Sequence, residues 1–225
     1  MTMGRVPMPN SADHRAAILG SIRRSLGVST PASAIAAEYA AIPRTYLQSS
    51  NLDKHGVSEL FADRLREYDA GVYHASRLSL SGVIAEILTA RGKTGLAIPA
   101  GVPADWLPQG FAFEVADSYD AYQLDKKQGV LSGCTVAIAE TGSIVLQNAA
   151  AQGPRTLSLV PDYHLCVVFE EQMVATVPEA FERIEATSAL PTTFISGPSA
   201  TADIEMTRIK GVHGPRFLDV VLVAD

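Results

Sequence analysis

The sequence has few of the residues that build metal, redox or disulfide sites. Its 225 residues include two cysteines, Cys134 and Cys166, each inside an apolar run and neither in a C-x-x-C or Cys/His cluster. Two isolated cysteines cannot supply the four ligands of a structural zinc or iron–sulfur site. We therefore expect reduced thiols that pack as small core hydrophobes, and no cofactor bound by this chain.

Concentrated positive charge and long apolar runs are also missing. The formal net charge is -6, and the 18 Lys and Arg residues are scattered, with Arg23-Arg24 and Lys126-Lys127 the only adjacent pairs. This pattern argues against a nucleic acid or an anionic membrane surface as partner. No run approaches the roughly 18 apolar residues of a membrane span, and the first residues lack the apolar core of a signal peptide. We expect a cytoplasmic protein with no membrane span.

The usual signatures of nucleotide, zinc-protease and serine-hydrolase sites do not occur either. The sequence contains no G-x-G-x-x-G, P-loop, H-E-x-x-H or G-x-S-x-G pattern. Each of these patterns places a phosphate-binding turn, a metal or a nucleophile in a defined geometry. A function must therefore be sought in other polar clusters.

The pattern of apolar residues predicts two parts. Residues 1–50 are predicted to be an N-terminal helix, SADHRAAILGSIRRSLG, followed by a loosely structured connector arm rich in Ala, Ser and Thr. Residues 51–225 are predicted to form one α/β domain, because VSELFADRLREY and LSLSGVIAEILTARG have helical spacing and alternate with the short apolar runs AGVYHAS and TGLAIPAG. Such alternation indicates a largely parallel sheet.

The middle of the chain has a different pattern. CTVAIA, SIVLQ, TLSLV and HLCVVF follow one another with short polar links, which predicts consecutive antiparallel strands. VPEAFERIEAT is then predicted to be a helix capped by Thr176 and Glu179, and FLDVVLVAD a strand buried on both faces.

Glu140, Thr141 and Gly142 lie between two apolar strands in AETGSIVLQ, and Arg155 follows a Gly-Pro turn. A Gly-containing turn between strands is typical of an ordinary hairpin. The functional alternative is that the turn presents Glu140 at the end of the sheet as a base or nucleophile.

Two further clusters follow. FISGPSATADIE contains a Gly-Pro-Ser turn before three polar residues, which suits helix capping or a small-ligand site. In GVHGPR, His213 lies between glycines and is a candidate acid–base residue. His164, at the start of HLCVVF, is more typical of a structural or supporting residue.

In their order along the chain, AIAETGSIVL, RTLSLVPDYHLCVV, FISGPSATADIE and GVHGPRFLDVVLV closely resemble the lactate-utilisation protein C family, whose core is called the LUD domain. The resemblance implies a fold similar to ribose-5-phosphate isomerase, glucosamine-6-phosphate deaminase and the CoA-transferases. That fold is a three-layer α/β core with a mostly parallel sheet and an added antiparallel portion.

Within the resemblance, the matching positions include two catalytic candidates, Glu140 and His213. The candidate ligand-binding residues are Thr141, Gly142, Arg155, His164, Gly197, Pro198, Ser199, Thr201, Asp203, Glu205 and Gly214, and Pro161 and Pro215 also match. Ala200 departs from the family, which commonly has a polar or basic residue after Gly-Pro-Ser. If that residue contacts a ligand, its loss weakens the case for an anion site.

The family is implicated in oxidising L-lactate to pyruvate beside two partners that resemble iron–sulfur oxidoreductase subunits. The first hypothesis is therefore a non-redox subunit of lactate utilisation, with the iron–sulfur clusters on the partners and a small carboxylate or acyl-CoA as possible ligand. The second is an independent CoA-transferase-like or isomerase-like enzyme that uses Glu140, since CoA-transferases employ a Glu-x-Gly turn. The third is a carboxylate sensor.

Overall fold

Helices and strands alternate through most of the computed structural model, which describes residues 11–27, 31–201, 209–210 and 213–224. The α-helices are α1 (Ser11–Leu26), α2 (Ala32–Ala41), α3 (Lys54–Glu67), α4 (Leu80–Ala90), α5 (Ala121–Asp125), α6 (Arg155–Leu159) and α7 (Val177–Ile184). The strands are β1 (Gly71–Ser76), β2 (Gly95–Ile98), β3 (Ala112–Val115), β4 (Val130–Ser132), β5 (Val136–Ile138), β6 (Ser143–Gln147), β7 (Tyr163–Phe169), β8 (Met173–Val174), β9 (Thr192–Ile195), β10 (Ala200–Thr201), β11 (Ile209–Lys210) and β12 (Phe217–Ala224).

A boundary between Tyr46 and Leu47 divides the chain into two units. In the first unit, the predicted helix is α1, and its side chains Ile18, Ile22 and Leu26 are exposed. The expectation of a loosely structured connector was wrong for Ala32–Ala41, which is helix α2. Alanine has the highest intrinsic helix propensity, and this run is bounded by prolines rather than interrupted by them.

The second unit is built on a six-stranded sheet in the order β1-β12-β7-β4-β2-β3, in which every neighbouring pair is parallel. A second sheet, in the order β8-β5-β6-β9, combines antiparallel pairs with one parallel pair. This arrangement confirms the predicted three-layer α/β fold with a mostly parallel sheet and an added antiparallel portion.

Both faces of the six-stranded sheet are covered. Helix α4 packs on one face through Leu80, Ile84 and Leu88. Helix α3 and the inner face of the second sheet pack on the other, where Phe61 and Ile144 are fully buried. The outer face of the second sheet is covered by α7. Because the central strands are buried on both sides, FLDVVLVAD is almost continuously apolar, as predicted.

The predicted run of antiparallel strands was wrong in its second half. CTVAIA and SIVLQ do form the antiparallel pair β5 and β6. TLSLV, however, lies in the short helix α6, and HLCVVF is β7 of the parallel sheet. Pro154 is the N-cap of that helix, and five residues are too few for a helical period to show in the sequence.

The two cysteines are free and buried, as expected for core residues. Cys166 and the burial of the site raise the pKa of the Cys134 thiol, so that thiol remains protonated at neutral pH. Among the described residues, no helix combines the length and the apolar character that crossing a membrane requires.

Asp219 is a charged residue on β12, an interior strand of the six-stranded sheet. Its carboxylate is fully buried and accepts hydrogen bonds from Arg91 Nε (2.8 Å), Arg91 Nη2 (2.6 Å) and the Tyr163 hydroxyl (2.9 Å). Opposite it on β1 stands Gly71, where a Cβ would collide with the carboxylate. Burial and the neighbouring Asp219 raise the pKa of Tyr163, so its hydroxyl remains a donor.

We predict that Arg91→Met lowers the free energy of unfolding by about 3–5 kcal/mol, because it leaves the buried Asp219 carboxylate without its counter-charge. Urea unfolding at neutral pH measures the loss. The control is Arg66→Met, which removes an exposed ion pair with Asp63 and should cost no more than about 1 kcal/mol. Equal losses in the two variants would contradict the prediction.

Candidate functional site

A cavity of about 290 Å³ lies where the amino ends of β7 and β12 meet the end of β9. It is lined by Arg155 and Ser158 of α6, His164 of β7, Phe194 and Ile195 of β9, Leu218 of β12, and the loop residues Ser196, Gly197, Pro198, Ser199, Ala200, His213, Gly214 and Pro215. Residues from three separate clusters of the sequence therefore meet at one place.

His164 is the buried polar group of this cavity. It is the second residue of β7, and its side chain is 1 % exposed. Nε2 lies 2.7 Å from Ser132 Oγ, whereas Nδ1 has no hydrogen-bond partner among the described residues. Burial, assisted by the positive charge of Arg155, lowers the pKa of His164 to about 4. The imidazole is therefore neutral at pH 7.

Arg155 supplies the positive charge. It follows Pro154 as the first residue of α6, and its Nη1 donates to Ser158 Oγ at 3.1 Å. No carboxylate among the described residues lies within ion-pair distance of this guanidinium, and partial burial lowers its pKa. A guanidinium without a counter-charge beside a cavity is suited to binding an anionic ligand.

The Gly-Pro-Ser loop and the His-Gly-Pro loop are joined at the mouth of the cavity. The Ser199 N–H donates to the Pro215 carbonyl (2.8 Å), and the His213 N–H donates to Ser199 Oγ (3.2 Å). Gly197 has a positive φ of 81°, and a Cβ there would collide with Tyr68, so no other residue fits this turn without strain. His213 is exposed at the rim.

Glu140 lies outside this cavity. It is exposed in the turn between β5 and β6, where its N–H donates to the Ala175 carbonyl at 3.0 Å. Gly142 follows with a φ of 59°, and a Cβ there would lie 2.8 Å from Arg64 Cβ of α3. The turn geometry and its packing on α3 thus explain the glycine, and the structure does not bring Glu140 together with His213 at the cavity.

A chain of hydroxyl groups connects that turn to the cavity wall. Thr141 Oγ1 donates to Ser143 Oγ at 2.7 Å, and Ser143 Oγ lies 2.6 Å from Ser196 Oγ. Since Ser196 lines the cavity, Thr141 supports the wall indirectly. Thr201 is in β10, and Asp203 and Glu205 fall outside the described residues.

Several lining residues were absent from the sequence-based candidates. Ser158 stands three residues after Arg155, a spacing that is informative only once the segment is known to be helical. Ser196 and Phe194 adjoin the Gly-Pro-Ser turn, but no local signal separates them from ordinary strand residues. Ser132 contacts His164 from β4, a neighbour that only the sheet order reveals.

A more open depression of about 500 Å³ lies beyond the carboxyl ends of β2 and β3, the usual ligand position in open α/β sheets. Its charged lining residue is Asp117, whose Oδ2 already accepts the Ala100 N–H at 2.7 Å. The cavity at His164 has the stronger chemistry, because it combines a cation with a buried imidazole nitrogen that has no hydrogen-bond partner in the part of the chain that the structure describes. Within the described part of the chain, no group of three or more His, Cys, Asp or Glu side chains could hold a metal ion.

Comparison with known proteins identifies relatives that cover most of the chain. Lactate utilization protein C of Deinococcus radiodurans is 39% identical over 219 residues, covering 96% of this chain and 98% of the relative. An uncharacterized protein of Neisseria meningitidis serogroup B is 30% identical over 177 residues, covering 73% of this chain and 75% of that protein.

A solved structure and a family model agree with these relatives. The crystal structure of a DUF162 family protein from Deinococcus radiodurans matches with a TM-score of 0.66 and 38% identity, covering 77% of this chain and 99% of that one. The model of the LUD domain matches residues 104–223, which include every described residue that lines the His164 cavity. The chain belongs to the LUD domain family.

Proposed function

We propose that this chain acts in lactate utilisation and that it binds a small 2-hydroxy or 2-oxo carboxylate, lactate or pyruvate, in the cavity beside His164. The name of the Deinococcus radiodurans relative supports the pathway. The observation that supports the ligand class is the buried, neutral imidazole, whose Nδ1 has no partner among the described residues, beside the Arg155 guanidinium.

The carboxylate of the ligand is placed on Arg155. A guanidinium binds a carboxylate through charge-assisted hydrogen bonds, and a planar fork of N–H donors matches two carboxylate oxygens. Ser158 Oγ, 3.1 Å from Arg155 Nη1, holds the guanidinium without neutralising it. The positive charge therefore remains available to the ligand.

The oxygen on the second carbon is placed at His164 Nδ1. A neutral imidazole has one N–H and one acceptor nitrogen, and the hydrogen bond at Nε2 determines which is which. If Nε2–H donates to Ser132 Oγ, Nδ1 accepts from the hydroxyl of lactate. If Ser132 donates instead, Nδ1–H donates to the carbonyl of pyruvate. One pair of side chains thus accommodates both members of the redox couple.

Oxidation of lactate to pyruvate releases two electrons and two protons, and the proposal gives the electrons to other subunits. The chain has two cysteines, outside any cluster-binding pattern, and its sequence has no flavin or nicotinamide fingerprint. We place the redox chemistry on partners that resemble iron–sulfur oxidoreductase subunits, with this chain as a carboxylate-binding subunit. Acyl transfer through Glu140 gains no support from the geometry, since that side chain is exposed in a separate turn.

We predict that Arg155→Gln weakens binding of L-lactate and pyruvate at least about tenfold, because a hydrogen bond to a charged group contributes about 1.5–3 kcal/mol. Isothermal titration calorimetry of the purified chain measures both affinities.

Two controls accompany this measurement. Arg66→Gln changes an exposed arginine on α3 and should leave the affinities unchanged. Propane-1,2-diol, which replaces the carboxylate of lactate by a hydroxymethyl group, should not bind. Equal affinity of Arg155→Gln and the unaltered chain for lactate would refute the proposed carboxylate site.

We predict that His164 makes the protein less stable as the pH falls from about 6.5 towards about 4. The folded-state pKa of about 4 lies below the ordinary value of 6.5, so the unfolded chain binds the proton first. The slope from one such group reaches about 1.4 kcal/mol per pH unit within this window and vanishes above it.

His164→Gln is the matched variant, because the amide can replace Nε2 in the contact with Ser132 and does not titrate. Urea unfolding at several pH values should show a shallower decrease in stability below pH 6.5 for this variant than for the unaltered chain. Parallel curves would show that His164 does not titrate as proposed.

A further inference from the structure

The cavity is larger than lactate or pyruvate requires. This excess volume points to a larger ligand of the same class, an inference that rests on the proposed function. A three-carbon acid displaces roughly three waters, or about 90 Å³ at ~30 Å³ per water. The cavity measures about 290 Å³, close to the lower end of the range of about 300–1,000 Å³ for sites that bind drug-sized ligands. About two thirds of the volume would remain beside a bound lactate.

The walls of the cavity differ in chemistry. Helix α6 and strand β7 supply Arg155, Ser158 and His164, and the loops at the mouth add further polar residues. Strands β9 and β12 supply Phe194 and Leu218. A ligand that fills the cavity therefore needs an anionic, hydrogen-bonding end and an apolar end. Lactate has the first and only a methyl group for the second.

An aromatic pair extends the apolar wall outward. Phe194 lines the cavity and stacks on Phe181 of α7, with ring centroids 5.8 Å apart and planes inclined by 27°. Both rings are unusually open to solvent, at 45 % and 54 % exposure. Among the described strands, β9 is at the edge of its sheet. Exposed aromatic rings offer a surface on which another planar ring stacks favourably.

We propose that the cavity binds 2-hydroxy and 2-oxo acids that have a planar aromatic ring on the third carbon. The carboxylate lies on Arg155, the oxygen of the second carbon at His164 Nδ1, and the ring against Phe194. The preferred ligand class is thus aryl-substituted lactate or pyruvate, of which 3-phenyllactate and phenylpyruvate are the simplest members. No covalent step is involved.

Calorimetric titration of the full chain with L-lactate and with L-3-phenyllactate tests this assignment. The two acids differ by one phenyl ring, and we expect the phenyl compound to bind at least about tenfold more tightly, because the ring is removed from water against Phe194. Pyruvate and phenylpyruvate form a second pair with the same expectation.

Substitution of the aromatic wall separates stacking from nonspecific apolar binding. Phe194→Leu should remove most of the advantage of phenyllactate over lactate, measured as the ratio of the two affinities, since leucine keeps the site apolar but has no ring to stack. Tyr122→Leu, at an 84 % exposed aromatic residue on α5, is the control and should change neither affinity. A thermal melt of each variant verifies folding.

The possible outcomes are distinct. If both acids bind equally and both depend on Arg155, the aryl-acid assignment is overturned while the proposed function stands. If neither acid binds, or if binding does not depend on Arg155, both proposals fail. Adenosine monophosphate is a third probe. If it binds more tightly than phenyllactate and Phe194→Leu abolishes that binding, the aryl-acid assignment is overturned in favour of a nucleotide. A phenyl advantage that Phe194→Leu removes and Tyr122→Leu preserves supports the assignment.

Discussion

The parallel pairing of β12 between β1 and β7 is the constraint on which both the sheet and the cavity depend. In this register Leu218 stands beside His164, and Asp219 stands beside Leu165 on one side and Gly71 on the other. A shift by one residue would turn Asp219 away from Arg91 and turn Leu218 away from the cavity, because alternate side chains of a strand point to opposite faces. The buried carboxylate therefore fixes the register that also builds the site.

This arrangement explains why residues far apart in the sequence meet. The loop with His213 leads directly into β12, and α6 with Arg155 leads through a short turn into β7, so parallel pairing brings both connections to the same edge. The second sheet then adds β9 and the Gly-Pro-Ser loop, and the hydrogen bond between Ser199 and Pro215 joins the two sides. The cavity lies at the amino ends of these strands, not at the carboxyl ends where open α/β sheets usually bind ligands.

Local patterns in the sequence were sufficient to predict much of the fold. Helices α3 and α4 have a clear helical period, and the capping box at Thr176 and Glu179 identifies the start of α7. Alternating helices and strands indicated the parallel sheet. The short helix α6 could not be recognised, because its five residues, in the segment between Pro154 and Pro161, are too few to produce a periodic signal. For the same reason the sequence pattern predicts β7 as the next strand of a meander rather than as a strand of the parallel sheet.

The candidate site was predictable only in part, for a different reason. Loop composition pointed to Gly197, Ser199 and His213, which do line the cavity. Glu140 has an equally conspicuous position in the sequence. Its turn packs against α3, however, and such a long-range contact decides which side of a hairpin faces a cavity. The apolar half of the site had no local signal at all, since Phe194 resembles any strand residue.

The electrostatics of the cavity follow from the burial of His164. If the imidazole were protonated, a second positive charge would lie beside Arg155 and the site would favour a dianion such as a phosphate monoester. Desolvation prevents protonation of His164, because the free-energy cost of burying an imidazolium exceeds the stabilisation that neighbouring groups provide. The positive charge of Arg155 adds to that cost. The site therefore offers one cation and one neutral hydrogen-bonding nitrogen. A monoanionic acid with an uncharged oxygen on the adjacent carbon satisfies both groups, and the apolar wall of β9 and β12 then selects what that acid bears at its other end.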